Sequence, residues 1–362
     1  MRTLAIAVAL AIVAAPSVSA NPANDWRLSP TAAARLDQSK LTEMERAVAA
    51  GTYPKTTSVA IVLNGELAYE HYAGEGAPDK PNDTRSAMKS LTALAVGIAI
   101  AEKKISSVDA PAFAYLKHMA PFANDSPLKQ RITIADFLTM SSALDCDDND
   151  ENSPGNEENM YPKQAWTRFV VDLPTKAGWQ RDASGRGPWA YCTVGTFLLG
   201  QILQSATGEP VDKFIESRLL DPLGAGPRNW DRSPTGEVMT GGGLELTTRD
   251  LAKLGWMVTD NGRWRGKQIV PRHWIASALT VHRNSSFEPL TYGYQYWHRP
   301  YTTACGPLEV WFMSGNGGNN VISIPSRKAA IVITRTAYNT RGMHQQTAEL
   351  VEKYALAALP CR

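Results

Sequence analysis

The sequence predicts a mixed α/β (α+β) fold: one antiparallel sheet flanked by helices, carrying an inserted, mainly helical lobe. Three observations lead there. Strand patterns with a hairpin signal lie near the start, at residues 58–63 and 67–72 around Asn64-Gly65. Strand patterns return only near the end, at 292–297, 309–313, 320–324 and 329–334. Between them, over about 105–290, the chain reads as helices joined by long loops. Strands from both ends most simply join one sheet, and the middle forms a lobe with a cleft against it.

Length and composition set bounds on this picture. The chain has 362 residues, whereas a single compact core stops growing near about 250–300. Apolar residues make up 43% and charged residues 20%, a globular balance that excludes a disordered chain and a coiled coil. Lys+Arg number 37 and Asp+Glu 35, a net charge of +2. That is too little, and no basic run carries interleaved aromatics, so no nucleic-acid partner is expected.

Residues 1–20 read as a secretory signal peptide. Arg2 supplies the positive start, residues 4–15 are apolar, and Val18-Ser19-Ala20 is a small-x-small cleavage site. The apolar run is too short to span a bilayer, which needs about 20 residues. The expected product is one domain over 21–362, periplasmic or secreted, with no membrane anchor after cleavage. Cys146, Cys192, Cys305 and Cys361 fit an oxidising compartment and lack metal-type spacing. Four cysteines allow three pairings, which sequence alone does not choose between. Cys146–Cys192 with Cys305–Cys361 is the predicted pair of disulfides.

The elements follow in order. Residues 32–50 form an amphipathic helix ahead of the hairpin. Residues 86–103 form a helix with Leu91, Leu94, Ala95, Ile98 and Ala101 at helical spacing, apolar enough to be buried on most sides. Helices are expected at 134–140, 193–205, 211–220 and 247–258, the last opened by the capping-box pattern Thr247-Thr248-Arg249-Asp250. A helix at 347–359 closes the chain.

Familiar catalytic patterns are absent. There is no G-x-S-x-G elbow, no Walker A loop and no G-x-G-x-x-G after a strand. The six histidines form neither H-x-H nor H-E-x-x-H, so no metal or other cofactor is expected. The acidic stretch 145–158 begins like a calcium loop, but Asp150 stands where the turn needs glycine, and it reads as a solvated loop. What remains is Ser86-Ala87-Met88-Lys89, an S-x-x-K at the head of an apolar helix. Residues i and i+3 share a helix face about 5–6 Å apart at Cβ. Burial there lowers a lysine pKa, and a neutral amine can take the serine proton. A second copy, Ser126-Pro127-Leu128-Lys129, lies in a polar, proline-containing stretch with no apolar helix after it and is set aside.

Residues 84–100, TRSAMKSLTALAVGIAI, resemble the nucleophile helix of the penicillin-recognising serine hydrolases: class C β-lactamases, D-alanyl-D-alanine carboxypeptidases and their esterase relatives. Two further elements resemble theirs in the right order. Tyr191-Cys192-Thr193 stands for Y-x-N, and Asn316-Gly317-Gly318, before a strand ending at Ile324-Pro325, stands for K-T-G. The resemblance spans about 58–334. It implies a β-lactamase/transpeptidase-like fold and an acyl-enzyme on Ser86. Lys89 would be the base, Tyr191 the proton shuttle, and the backbone N–H groups of Ser86 and Asn319 the oxyanion hole. Thr193, Asn316, Gly317 and Gly318 would line the substrate, the glycines letting a strand approach it.

Two departures shift the expected substrate. Thr193 replaces the asparagine of Y-x-N, and Asn316 replaces the lysine of K-T-G, a cation that helps bind a substrate carboxylate. Arg181, Arg186 and Arg335 are candidates to replace it; Trp189, Trp311 and Tyr161 are candidates for an aromatic pocket. The expected function is therefore an exported esterase or amidase acting on a small, neutral or weakly charged acyl compound. The alternatives are a β-lactamase or D-alanyl-D-alanine carboxypeptidase, and a non-catalytic binding protein on the same scaffold.

Overall fold

The computed structural model describes residues 26–226 and 228–361, so the expected signal peptide lies outside the described residues. The longer elements are helix α1 (Gln38–Ala49), strands β1 (Thr56–Leu63) and β2 (Glu66–Tyr72), and helices α2 (Lys89–Ala101), α3 (Thr193–Thr207) and α4 (Thr248–Thr259). Strands β3 (Trp297–Thr303), β4 (Gly306–Gly315), β5 (Asn319–Ile324) and β6 (Ala329–Arg335) follow, and then helix α5 (Met343–Leu350).

Both ends of the chain build one eight-stranded sheet in the order β2-β1-β6-β5-β4-β3, extended by the two-residue strands Thr291–Tyr292 and Arg283–Asn284. Its pairings are antiparallel. The turn between β1 and β2 is Asn64-Gly65 as expected, with φ of 52° and 87°, values that asparagine and glycine tolerate best. Alternation along β1 sorts side chains to the two faces. Val59, Ile61 and Leu63 pack with Leu41 and Met44 of α1 and Leu350 of α5. Ala60 and Val62 face the opposite core, which holds α2, α3 and α4. Helix α2 is buried from Lys89 through Ala99, which explains its apolar sequence on every face.

Helical segments do fill the middle of the chain, but α4 packs directly on β1, β5 and β6. Two other expectations are corrected. The strand at 292–297 is a corner: the chain leaves the sheet after Tyr292, passes Gln295 at φ 60°, and re-enters at Trp297. Buried Gln295 fixes that corner to the helical side by donating from its side-chain amide to Phe137 O and from its backbone N–H to Leu138 O. The helix at 32–50 is broken, because Asp37 caps a new helix by accepting from the Ser39 and Lys40 N–H groups. Both predicted disulfides are present, with Cα–Cα separations of 5.5 Å for Cys146–Cys192 and 5.3 Å for Cys305–Cys361. Among the described residues, no helix is long and apolar enough to cross a membrane.

Candidate active site

Ser86 sits in a tight 3-10 turn, Arg85–Met88, that runs into α2. The residue before it is held in an unusual conformation: Arg85 has φ 51°, a region costly for residues other than glycine. Asp83 secures it from both sides, accepting from the Arg85 N–H at 3.0 Å and pairing with its guanidinium at 2.7 Å. The same guanidinium lies 4.8 Å from the centre of the Tyr338 ring, and the Tyr338 hydroxyl donates to Asp83 O at 2.7 Å.

Lys89 comes back along the same helix face. Its Nζ lies 2.7 Å from Ser86 Oγ and donates to Gly241 O at 2.6 Å. The side chain is only 1% exposed, and burial pushes the amine pKa below the ordinary lysine range, partly opposed by the carboxylates of Glu157 and Asp148. A neutral amine has two N–H groups and one lone pair. With one N–H on Gly241 O, the lone pair is available to the Ser86 hydroxyl.

Tyr191 approaches from the helical lobe, just before α3. Its ring centre is 5.1 Å from Lys89 Nζ and 5.8 Å from the stacked ring of Trp297. Burial raises its phenol pKa, and a hydrogen bond with Ser86 acts in the opposite sense. Two expected catalytic side chains, Lys89 and Tyr191, from segments about a hundred residues apart, therefore approach the Ser86 hydroxyl.

The K-T-G counterpart is arranged differently from expectation. The close approach to the Arg85–Met88 turn is made by Gly315, at the end of β4. A Cβ there would lie 1.8 Å from Thr84 O and 2.9 Å from Ala87 N. Gly317 and Gly318 do not make that approach. They form the turn into β5 at φ of 93° and 85°, against Arg335, Tyr338 and Met343. The Asn316 side chain is tied to Asn339, to which it donates at 2.5 Å and from whose N–H it accepts at 2.8 Å. Asn319 is 1% exposed, its side chain accepting from the Arg335 N–H and donating to Asn316 O. Thr193 is fully buried, its methyl against Gly241 and its hydroxyl without a hydrogen-bond partner among the described residues.

None of the three arginines replaces the missing lysine. Arg181 pairs with Asp136 at 2.6 Å, and Arg186 lies 3.9 Å from the same carboxylate. Arg335 is buried and donates to Pro54 O and Met343 O. Of the aromatic candidates, Trp311 is a buried residue of β4 with its ring tilted against His298, and Tyr161 donates to Glu157 at 2.6 Å. Only Trp189 stands beside the site, 6.2 Å from Tyr191 between ring centres.

The largest correction concerns the acidic stretch 145–158. It is anchored as well as solvated: Cys146, Ser153, Gly155 and Asn156 are buried, while Asn149–Asn152, Pro154 and Glu158 are exposed. The disulfide carries Asp148 to the start of α3, where its carboxylate accepts from the Thr193 N–H at 2.7 Å and its own N–H donates to Tyr191 O at 2.8 Å. Burial, and then repulsion from Glu157, raises the Asp148 pKa to about 6. A signal for this residue existed. Once Cys146–Cys192 is paired, a carboxylate two residues after Cys146 must lie near Tyr191. Gly241, whose carbonyl holds Lys89, and Gly315 had no comparable signal.

Comparisons with known proteins identify the family and the fold. The family model described as Beta-lactamase matches residues 44–356. The chain is 26% identical over 280 residues to the 6-aminohexanoate-dimer hydrolase of Paenarthrobacter ureafaciens, covering 74% of this chain and 67% of that one. Its fold is similar to a D-stereospecific amidohydrolase from Streptomyces sp. (TM-score 0.64, 18% identity, 87% of this chain and 98% of that one). It is also similar to a family VIII carboxylesterase (TM-score 0.65, 14% identity, 91% and 98%). The sheet order, the S-x-x-K geometry and the match along most of the chain place this protein in the beta-lactamase family, as a serine hydrolase with the β-lactamase/transpeptidase-like fold.

Proposed function

We propose that this protein hydrolyses a small amide or ester through an acyl-enzyme on Ser86. The observation that carries the reading is the 2.7 Å contact between Ser86 Oγ and a buried Lys89 Nζ. In the first step Ser86 Oγ attacks the substrate carbonyl and its proton passes to Lys89. Tyr191, whose phenol interacts with the same hydroxyl, delivers a proton to the leaving amine or alcohol and recovers one from Lys89. Water then attacks the acyl–Ser86 ester, giving its proton to the same groups, which return one to Ser86 Oγ as the acid is released.

The oxyanion needs two backbone donors. We assign one to Ser86 N–H. The other we assign to the chain directly after Gly315, at Asn316 rather than Asn319, because Gly315 is the residue pressed against the nucleophile turn.

The charges around the site favour a neutral or positively charged substrate. Asp148 and Glu157 act on Lys89 and Tyr191, and with Gly315 as the glycine of K-T-G the place of the family lysine falls to Met313, which carries no charge. A substrate carboxylate finds repulsion there without a fixed cation. The resemblance to a 6-aminohexanoate-dimer hydrolase supports an amide over a β-lactam. We further propose that the chain is exported through residues 1–20. Two disulfides among the described residues suit an oxidising compartment, and N-terminal sequencing of the protein made in its host tests this.

The direct test is peptide mass spectrometry after reaction with a fluorophosphonate. An adduct on the peptide bearing Ser86, lost on heat denaturation, supports the reading and opens an ester and amide screen. An unlabelled native protein that turns over nitrocefin would replace it with the β-lactamase reading. An unlabelled protein inert toward both would favour a binding protein.

A further inference from the structure

We propose that Asp148 is a positioning residue for Tyr191, clamping the chain on both sides of the catalytic phenol; this rests on the role given to Tyr191 above. The clamp has three parts. The Asp148 N–H donates to Tyr191 O at 2.8 Å. Asp148 Oδ2 accepts from the Thr193 N–H at 2.7 Å. The Cys146–Cys192 disulfide joins the two segments covalently at the residue between. Tyr191, Cys192 and Thr193 are thus each tied to one short stretch, 146–148.

The chemistry of the position calls for a carboxylate. Both oxygens are acceptors in use, since Asp148 Oδ1 also takes the Glu157 N–H at 3.0 Å. An asparagine has one acceptor oxygen, and its NH2 would oppose an N–H. A negative charge also suits the first turn of α3, where backbone N–H groups lack helical partners. The charged and titratable groups facing Asp148 are Lys89 of α2, Glu157 and Tyr161 of its own loop, and Tyr191. The carboxylate raises the Lys89 pKa against the effect of burial. Removing its charge lowers that pKa further.

The test is a double-mutant cycle with Asp148→Asn and Tyr191→Phe on a chromogenic ester, with active sites counted by fluorophosphonate labelling. Asp148→Asn is expected to lower kcat per labelled site about ten- to a hundred-fold, the scale of a small misplacement, with KM changed less than about twofold. In the Tyr191→Phe background the same substitution should cost little more, because the phenol it positions is gone. The acid limb of the rate–pH profile should move to lower pH in Asp148→Asn, a change that mere loss of stability would not produce. Losses that multiply in the double variant, or an unchanged kcat in Asp148→Asn, would overturn the proposal. A Tyr191→Phe enzyme as fast as the parent would instead overturn the role of Tyr191 itself. If Asp148→Asn fails to fold, Thr193→Pro decides. It removes the N–H that Asp148 holds, along with the methyl packed against Gly241, at a first helical position that accepts proline, and it should lower kcat well below that of Thr193→Val, which keeps the N–H. A Thr193→Pro enzyme with parental kcat would overturn the clamp.

Discussion

The chain carries the same four-residue pattern twice, and the two copies share a buried lysine but differ in what engages the serine. In both, the lysine is buried: Lys89 is 1% exposed and Lys129 0%. In both, burial pushes the amine pKa down. A buried lysine three residues after a serine is therefore not what makes a nucleophile. At the second copy the serine is engaged by the backbone. Ser126 caps the short helix Pro127–Gln130 by accepting from the Lys129 N–H. Lys129 Nζ donates to Ala123 O and Val171 O, each at 2.9 Å, and no contact with Ser126 Oγ accompanies them. At the first copy the N-cap residue is Thr84 and makes no side-chain cap. Ser86 Oγ is left for Lys89 and Tyr191. On the proposed mechanism, the hydroxyl's freedom from capping is what separates Ser86 from Ser126.

Substitutions at matched positions test that contrast. Ser86→Ala should abolish both turnover and fluorophosphonate labelling, whereas Ser126→Ala should leave both unchanged. Lys89→Met should lower kcat several hundred-fold or more, given the roughly 10²–10⁴ from general base catalysis. Near-parental kcat in that variant would remove Lys89 as the base. Lys129→Met should keep kcat and lower unfolding free energy in urea by about 2 kcal/mol or more, because two carbonyls lose their donor at about 1–3 kcal/mol each.

The rate should also report the Lys89 environment. The base must be neutral, so activity falls as pH drops through the Lys89 pKa. Burial places that pKa below the ordinary lysine range, so the enzyme should work at pH values where an exposed lysine is fully protonated. A limb centred in the ordinary lysine range would mean that Lys89 titrates as if exposed.

The two disulfides sharpen the comparison further. They close chain segments of similar length, with sequence separations of 46 and 56. Their unfolded-state terms differ by only about 0.2 kcal/mol. Replacing either pair by serines should cost about 2–4 kcal/mol in denaturant. Only loss of Cys146–Cys192, which abuts Tyr191, should also lower kcat. Equal kcat in both double variants would detach the loop from catalysis. The smallest expected effect is the stability loss in Ser126→Ala, about 1 kcal/mol for a lost N-cap.

Elements whose pattern is local were legible from the residues. The hairpin at Asn64-Gly65, the apolar helix after Ser86 and the helix after Tyr191 all stand where periodicity puts them. Errors gathered where a local pattern yields to distant partners. The aromatic run 292–297 has strand character, yet Gln295 turns the chain to reach carbonyls of residues 137 and 138. The acidic run 145–158 has the composition of an exposed loop, yet a covalent bond to Cys192 draws it inward.

The site divides along the same line. Ser86 and Lys89 belong to one helical turn, so their spacing in the chain already fixes their spacing in space. Tyr191 was reachable by resemblance, because it precedes a recognisable apolar helix. The partners that complete the arrangement are Gly241 O, which holds the amine, Gly315, which admits β4 against the nucleophile turn, and Asp148, which grips the phenol's segment. These act through backbone groups, close approach and buried charge. None of those leaves a periodic mark in a sequence, and each comes into being only when separate segments are packed together.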